Sequence, residues 1–319
     1  MQLNISDIDK WIPYKLLGNG AETFVEWLYT GNEQFRDSFF DQTIKRCSSM
    51  PQNTTGQKNI TSLSLLQNWA REVNVSEPTA IIFHVSRCGS TIMSQTLANN
   101  ISHIVLSEVP FFDDIIRTPL LDDNQRIDLL KDVIKLYSQP RNGHGNKVFI
   151  KTDSWHIMFY KQLRQMYPNV PFILLYRNPA EVVRSLNKKP GWHCIPQFVA
   201  PEFLHIKEPV VTVTDFYDYP IKVISKYLEG FIQVMDADAN AFLFNYNEGM
   251  LTVAEDIFNA IDIPFTEAAR EQMKERLTYH SKTPGIHFSA EPVMESPGEK
   301  FTHVFELYNK LEEIRRNRK

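Results

Sequence analysis

The chain has few cysteines, few glycines and almost no net charge. Its 319 residues include only Cys47, Cys88 and Cys194 as cysteines. These are odd in number and far apart, which argues against a disulfide framework or a cysteine-based metal cluster and fits a reducing compartment. Basic and acidic residues nearly cancel, 34 against 38, leaving a net charge of −4. That gives no footing to a nucleic-acid binder working through phosphate contacts. No apolar run approaches the ~18 residues of a transmembrane helix. Asp7, Asp9 and Lys10 stand where a signal peptide would have its apolar core. The expectation is a soluble, cytoplasmic protein with no membrane or nucleic-acid partner. What the chain does have is 43% hydrophobic and 12% aromatic residues, enough for a large α/β domain or two small ones.

The most informative stretch runs from Ala80 to Gln95. Ala80-Ile81-Ile82-Phe83-His84-Val85 reads as a buried parallel strand. A turn of small polar residues follows, and from about Ser90 the pattern predicts a helix. A strand, tight loop and helix aim backbone N–H groups at an anion. Here the loop adds the cation of Arg87 and the hydroxyls of Ser90 and Thr91, with Cys88 and Gly89 between them. Gly89 permits a close backbone approach. The stretch reads as a phosphate-binding loop. It is not the nucleoside-triphosphatase form, which carries a lysine directly after its last glycine.

The rest of the chain organises around this loop. Residues 1–75 read as a helical segment, with Phe24, Trp27 and Leu28, then Phe35, Phe39, Phe40 and Ile44, at helical spacing. Gly31-Asn32 marks a turn, and Thr61-Ser62 caps a helix carrying Leu63, Leu65, Leu66 and Trp69. Residues 76–319 form the main domain. Its second strand begins at His103 and ends in Glu108, and its third, from Val148, ends in Lys151. Parallel sheets gather ligands at the carboxyl ends of their strands. The fourth strand, 170–176, leads into Arg177, whose fork of donors suits a phosphate. Ser185 on the following helix adds a hydroxyl. Residues 241–250 read as a fifth strand and its exit. Residues 187–219 read as a long irregular segment shaping a substrate site. The implied fold is α/β: a central parallel sheet with helices on both faces and right-handed crossovers.

Several of these motifs resemble those of sulfotransferases that use 3′-phosphoadenosine 5′-phosphosulfate (PAPS). Arg87-Cys88-Gly89-Ser90-Thr91 resembles their 5′-phosphosulfate loop, with arginine where most members carry lysine. Glu108-Val109-Pro110-Phe111-Phe112-Asp113 resembles the catalytic-glutamate segment of the glycosaminoglycan group, whose glutamate is the general base. Lys151-Thr152-Asp153 resembles the Lys-Thr-His of small-molecule members, with Asp153 where the base histidine stands. Arg177-Asn178-Pro179, followed by Ser185 eight residues after the arginine, resembles their 3′-phosphate segment. Tyr246-Asn247-Glu248-Gly249-Met250 resembles the family's Tyr-Glu segment, here taken as structural. The terminal Arg-Lys-Gly of many members is missing, and Lys282 is the candidate for its role. The resemblance covers roughly residues 79–250.

What the resemblance implies is sulfuryl transfer from PAPS to an acceptor hydroxyl, with adenosine 3′,5′-bisphosphate (PAP) as product. Glu108 is the first candidate base, Asp153 the second and His156 the third. Arg87 and Lys151 neutralise developing charge. Cys88, Gly89, Ser90, Thr91, Arg177 and Ser185 hold the nucleotide, and no metal is implied. The acceptor stays open between a small molecule, a carbohydrate and a peptide. The alternatives are an ATP-dependent kinase and a non-catalytic PAP-binding module. The membrane anchor of many Golgi members has no counterpart here, which again points to the cytoplasm.

Overall fold

The computed structural model describes residues 5–18, 22–141, 143–207, 210–278 and 298–318. The elements follow in chain order: β1 Trp11–Gly18, β2 Thr23–Tyr29, α1 Phe40–Ser48, β3 Asn59–Ser62, α2 Leu63–Glu72, β4 Ala80–His84, α3 Ser90–Ala98 and β5 His103–Ser107. Then come α4 Pro110–Arg117, α5 Asp123–Tyr137, β6 Lys147–Lys151, α6 Tyr160–Met166, β7 Phe172–Tyr176, α7 Pro179–Lys188 and α8 Pro201–Leu204. The last are α9 Val213–Ala237, β8 Ala241–Asn245, α10 Met250–Ala260, α11 Glu267–Leu277 and α12 Thr302–Asn317. Two sheets form, β1-β2-β3 and β5-β6-β4-β7-β8. In the larger one the pairs β5–β6, β4–β7 and β7–β8 run parallel. All five of its strands stand where the apolar runs predict them. No described helix is long and apolar enough to cross a membrane.

The chain divides into two compact units. The first comprises Met1–Ala80, Ser94–Thr152 and Gln162–Val170. Its N-terminal part corrects the expected all-helical segment: β1, β2 and β3 form an antiparallel sheet. Phe24, Trp27 and Leu28 lie on its central strand. That strand, Thr-Phe-Val-Glu-Trp-Leu-Tyr, is buried over four consecutive residues. With both faces covered, no alternation survives to betray a strand, and the i, i+3, i+4 spacing of its apolar residues mimics a helix. Its β-branched and aromatic composition is the signal that favours the sheet. Buried Glu26 accepts from Tyr14 Oη at 2.8 Å and from Lys58 Nζ at 2.9 Å. Trp27 Nε1 donates to Thr61 Oγ1 at 2.8 Å. Pro13 is tolerated because β1 is an edge strand, and the register slips beside it between Pro13 and Lys15. The predicted cap of α2 is present, with Ser62 Oγ accepting from Leu65 N. Arg141 ties α5 and its exit to this sheet by donating to Thr30 Oγ1 at 2.9 Å and Asp9 O at 3.0 Å. Its burial lowers its pKa to about 10.

The second unit comprises Ile81–Met93, Asp153–Lys161 and Pro171–Lys319. Its core collects Phe83, Phe172, Tyr227 and Phe231, all fully buried. α9 starts at Val213, inside the expected irregular segment, so only part of 187–219 is irregular. Thr212 sets that start: its hydroxyl accepts from Asp215 N at 3.1 Å, while its own N–H donates to Asp215 Oδ2 at 2.9 Å. α12 is bound to the strand ends by Arg315, which pairs with Glu312 at 2.8 Å and with Glu248. Asn245 Nδ2 donates to Tyr308 Oη and Glu312 Oε1, each at 2.8 Å.

Candidate active site

In the second unit the loop after β4 adopts an unusual backbone. Ser86, Arg87 and Gly89 all have positive φ, at 68°, 52° and 80°. For Ser86 and Arg87 this conformation costs on the order of 1–2 kcal/mol each. The structure offsets that cost with specific anchors. Ser86 N donates to Nδ1 of buried His84 at 3.1 Å, and Ser154 Oγ lies 3.1 Å from the same nitrogen. Cys88 is fully buried and its Sγ donates to Leu175 O at 3.4 Å. The Cys88 side chain therefore anchors the loop to β7, leaving only its backbone to meet a ligand.

Gly89 is required by packing as well as by φ. A Cβ there would lie 2.5 Å from Met250 Sδ and 2.8 Å from Tyr246 Cδ2. Ser90 and Thr91 are buried in the first turn of α3, ahead of the intrahelical bond from Met93 N to Gly89 O at 3.1 Å. Backbone N–H groups in such a turn have no helical acceptor and point outward along the axis. The Arg87 guanidinium reaches the carbonyl of Lys189, which caps the C-terminal end of α7. A cation is favoured there by the helix dipole.

Arg177 follows β7 directly. Its Nη1 donates to Arg87 O at 3.1 Å, joining the two segments predicted to bind phosphates. Its Nε donates to Glu181 Oε2 at 2.6 Å, and its guanidinium carbon lies 4.3 Å over the Tyr246 ring. Glu181 Oε1 accepts from Asn247 Nδ2 at 3.2 Å, and Asn247 Oδ1 accepts from Asn178 N at 2.9 Å. The guanidinium is thus fixed by a carboxylate, a ring and a carbonyl. Its side chain stays 21% exposed. Ser185 is half-buried one helical turn beyond Glu181.

Asp153 is buried, and its carbonyl accepts from the N–H of buried His156 at 3.0 Å. The side chains of His156 and Trp155 meet edge to face, with centroids 4.6 Å apart.

In the first unit the carboxyl ends of β5 and β6 bring Glu108 and Lys151 together. The strands pair in register to Ser107 and Lys151, and Glu108 N extends the ladder by donating to Lys151 O at 2.8 Å. Glu108 takes the left-handed conformation, φ 52°, as it leaves the strand. The Lys151 ammonium donates to Glu108 Oε1. The Lys151 side chain has no exposed surface, whereas that of Glu108 keeps 16%. The lysine does not snorkel to solvent; its charge is held inside against a carboxylate. Lys282, the remaining predicted residue, lies outside the described residues.

The chain resembles solved sulfotransferase structures. With STF9 from Mycobacterium avium it shares 13% identity and a TM-score of 0.46, over 79% of this chain and 78% of that one. With mouse SULT7A1, solved in complex with PAP, the values are 11% and 0.44, over 79% and 91%. With the sulfotransferase domain of the curacin biosynthetic pathway they are 14% and 0.43, over 61% and 77%. No protein-family model and no curated protein matches the chain.

Four residues of these clusters escaped the sequence reading: His84, Glu181, Asn247 and Tyr246 as the ring beneath Arg177. Glu181 had a signal: it is the acid in the first turn of α7, four residues after Arg177. The partners of His84, Tyr246 and Asn247 are brought in by the sheet's parallel connections and leave no mark in local spacing.

Proposed function

We propose that the protein transfers a sulfuryl group from PAPS to an acceptor hydroxyl, releasing PAP. The observation that carries this reading is the hydrogen bond from Arg177 to the carbonyl of Arg87. It holds the loop at 86–91 against a fork of guanidinium donors that is remote from it in sequence. A nucleotide with phosphates at both its 5′ and 3′ positions fits such a pair. In this reading the N–H groups at Gly89–Thr91 hold the 5′-phosphate, while Arg177 and Ser185 select the 3′-phosphate. The charge of Arg87 supports the loop.

Glu108 accepts the acceptor's proton as the acceptor oxygen bonds to sulfur. The bond between sulfur and the bridging phosphate oxygen breaks, and its electron pair leaves on PAP. Protonation removes the negative charge that Glu108 sets against the Lys151 ammonium, which then answers the charge on the leaving oxygen. Catalysis on this scheme is alignment and charge stabilisation with general-base assistance worth ~100-fold or more. The test is incubation of the full chain with sulfur-labelled PAPS and acceptor mixtures of small hydroxylated molecules, carbohydrates and peptides. Label appearing in an acceptor fraction, with stoichiometric PAP, is the expected result; PAP binding without transfer to any acceptor would identify a binding module instead.

A further inference from the structure

The resemblance leaves residues 1–75 without a role, yet one of them meets the buried lysine. The Lys151 Nζ lies 5.0 Å from the centroid of the Phe39 ring. Phe39 directly precedes α1. It is only partly buried, whereas its neighbour Phe40 is 2% exposed and belongs to the core. Phe39 therefore does not serve mainly as core filling.

Its position is firmly held. Ser38 Oγ accepts from Gln95 Nε2, on α3, at 2.6 Å. Phe40 packs on Phe35 at 4.8 Å and on Tyr137 at 5.3 Å between centroids. Tyr137 packs in turn on Phe112 at 5.4 Å. Phe112 lies on α4, four residues after Glu108. One aromatic pillar thus supports both the segment carrying Phe39 and the helix that follows Glu108.

We propose that Phe39 is a positioning residue for the Lys151 ammonium, so that the N-terminal segment is a working part of the catalytic machinery. This rests on the sulfuryl-transfer reading for the role of Lys151. The physical reason lies in what happens to Glu108. Its carboxylate counters the ammonium only until it takes the acceptor's proton. An aromatic face attracts a cation through its quadrupole and cannot be neutralised by a proton. Phe39 therefore keeps the charged lysine in place at the moment its other partner loses its negative charge, without using any of its N–H donors.

The test compares Phe39→Leu and Phe39→Tyr in the full chain. Turnover at saturating PAPS is expected to fall ~10-fold in Phe39→Leu and to recover in Phe39→Tyr, with PAP affinity unchanged in both. A kcat equal to wild type in Phe39→Leu, or a loss of PAP affinity in place of kcat, overturns the proposal. A second readout is independent of turnover: the ε-methylene protons of Lys151, assigned by their loss in Lys151→Arg, shift upfield under the ring current. That shift is expected to vanish in Phe39→Leu and persist in Phe39→Tyr. If wild type neither binds PAP nor transfers label, the sulfuryl reading fails, and the methylene shift still decides whether Phe39 positions the lysine. A shift retained in Phe39→Leu overturns that placement.

Discussion

The guanidinium of Arg177 donates to the main-chain carbonyl of Arg87 at 3.1 Å, across 90 residues of sequence. The acceptor carbonyl belongs to a residue with φ of 52°. The bond therefore helps hold a strained loop as well as orienting the arginine. Glu181 and Tyr246 fix the same side chain from two other directions. A flexible point charge cannot reproduce that arrangement.

Arg177→Lys is accordingly expected to behave as a severe change despite conserving charge. Affinity for PAP should fall ~10- to 100-fold, the scale of one or two charge-assisted hydrogen bonds. Calorimetric titration measures it. Wild-type affinity in the variant would remove Arg177 from the nucleotide site.

Gly89→Ala tests the loop's packing. The added methyl meets Met250 Sδ and the Tyr246 ring, and φ of 80° strains any L residue there. Stability should drop by about 2 kcal/mol or more in urea unfolding. Adding Met250→Ala should recover only part of the loss, because the Tyr246 contact and the backbone strain both remain. Full recovery would show that φ is of no consequence at this position.

Glu108→Gln separates binding from chemistry. The amide keeps a hydrogen-bond acceptor for Lys151 but loses the proton-accepting carboxylate. PAP binding should be retained, turnover should fall ~100-fold or more, and stability should fall by about 1–3 kcal/mol because the buried ammonium loses its counter-charge. Near-normal turnover would move the base assignment to Asp153, then to His156.

His103 predicts the direction of a pH effect. Burial lowers its pKa below the ordinary 6.5, although its Nδ1 lies 2.8 Å from the Leu97 carbonyl, a contact that opposes the shift. A depressed folded-state value means that the unfolded chain binds the proton more readily. The contribution of neutral His103 to stability is then full above about pH 6.5 and is lost as the pH falls through the lower folded-state pKa. The melting-temperature difference between wild type and His103→Gln should shrink on going from pH 7.5 to pH 5. A difference that is constant over that range contradicts the shift.

The five strands of the larger sheet were legible because each is a short, continuous apolar run bounded by turn residues. Ala80–His84 and Phe172–Tyr176 are buried at every position. Burial on all sides hid β2 for a related reason: without alternation, the spacing of Phe24, Trp27 and Leu28 fits a helix as well as a strand. The candidate site was legible where its residues close a strand, as Lys151 does, or directly follow one, as Glu108 and Arg177 do. What the sequence hid was how those charges are countered. Lys151 pairs with Glu108 only because β5 and β6 are neighbours in register, and Phe39 reaches it from a segment with no motif of its own. Cys88 stands among the loop residues expected to hold the nucleotide, but its side chain faces β7.

The most direct test of the sulfuryl-transfer reading is calorimetric titration of the full chain with PAP and with ADP, each with and without magnesium. Tight binding of PAP, unaffected by magnesium and far stronger than that of ADP, is the predicted result. It follows from assigning Arg177 and Ser185 to a 3′-phosphate. Preference for ADP with magnesium would contradict that assignment and make the loop at 86–91 part of a kinase.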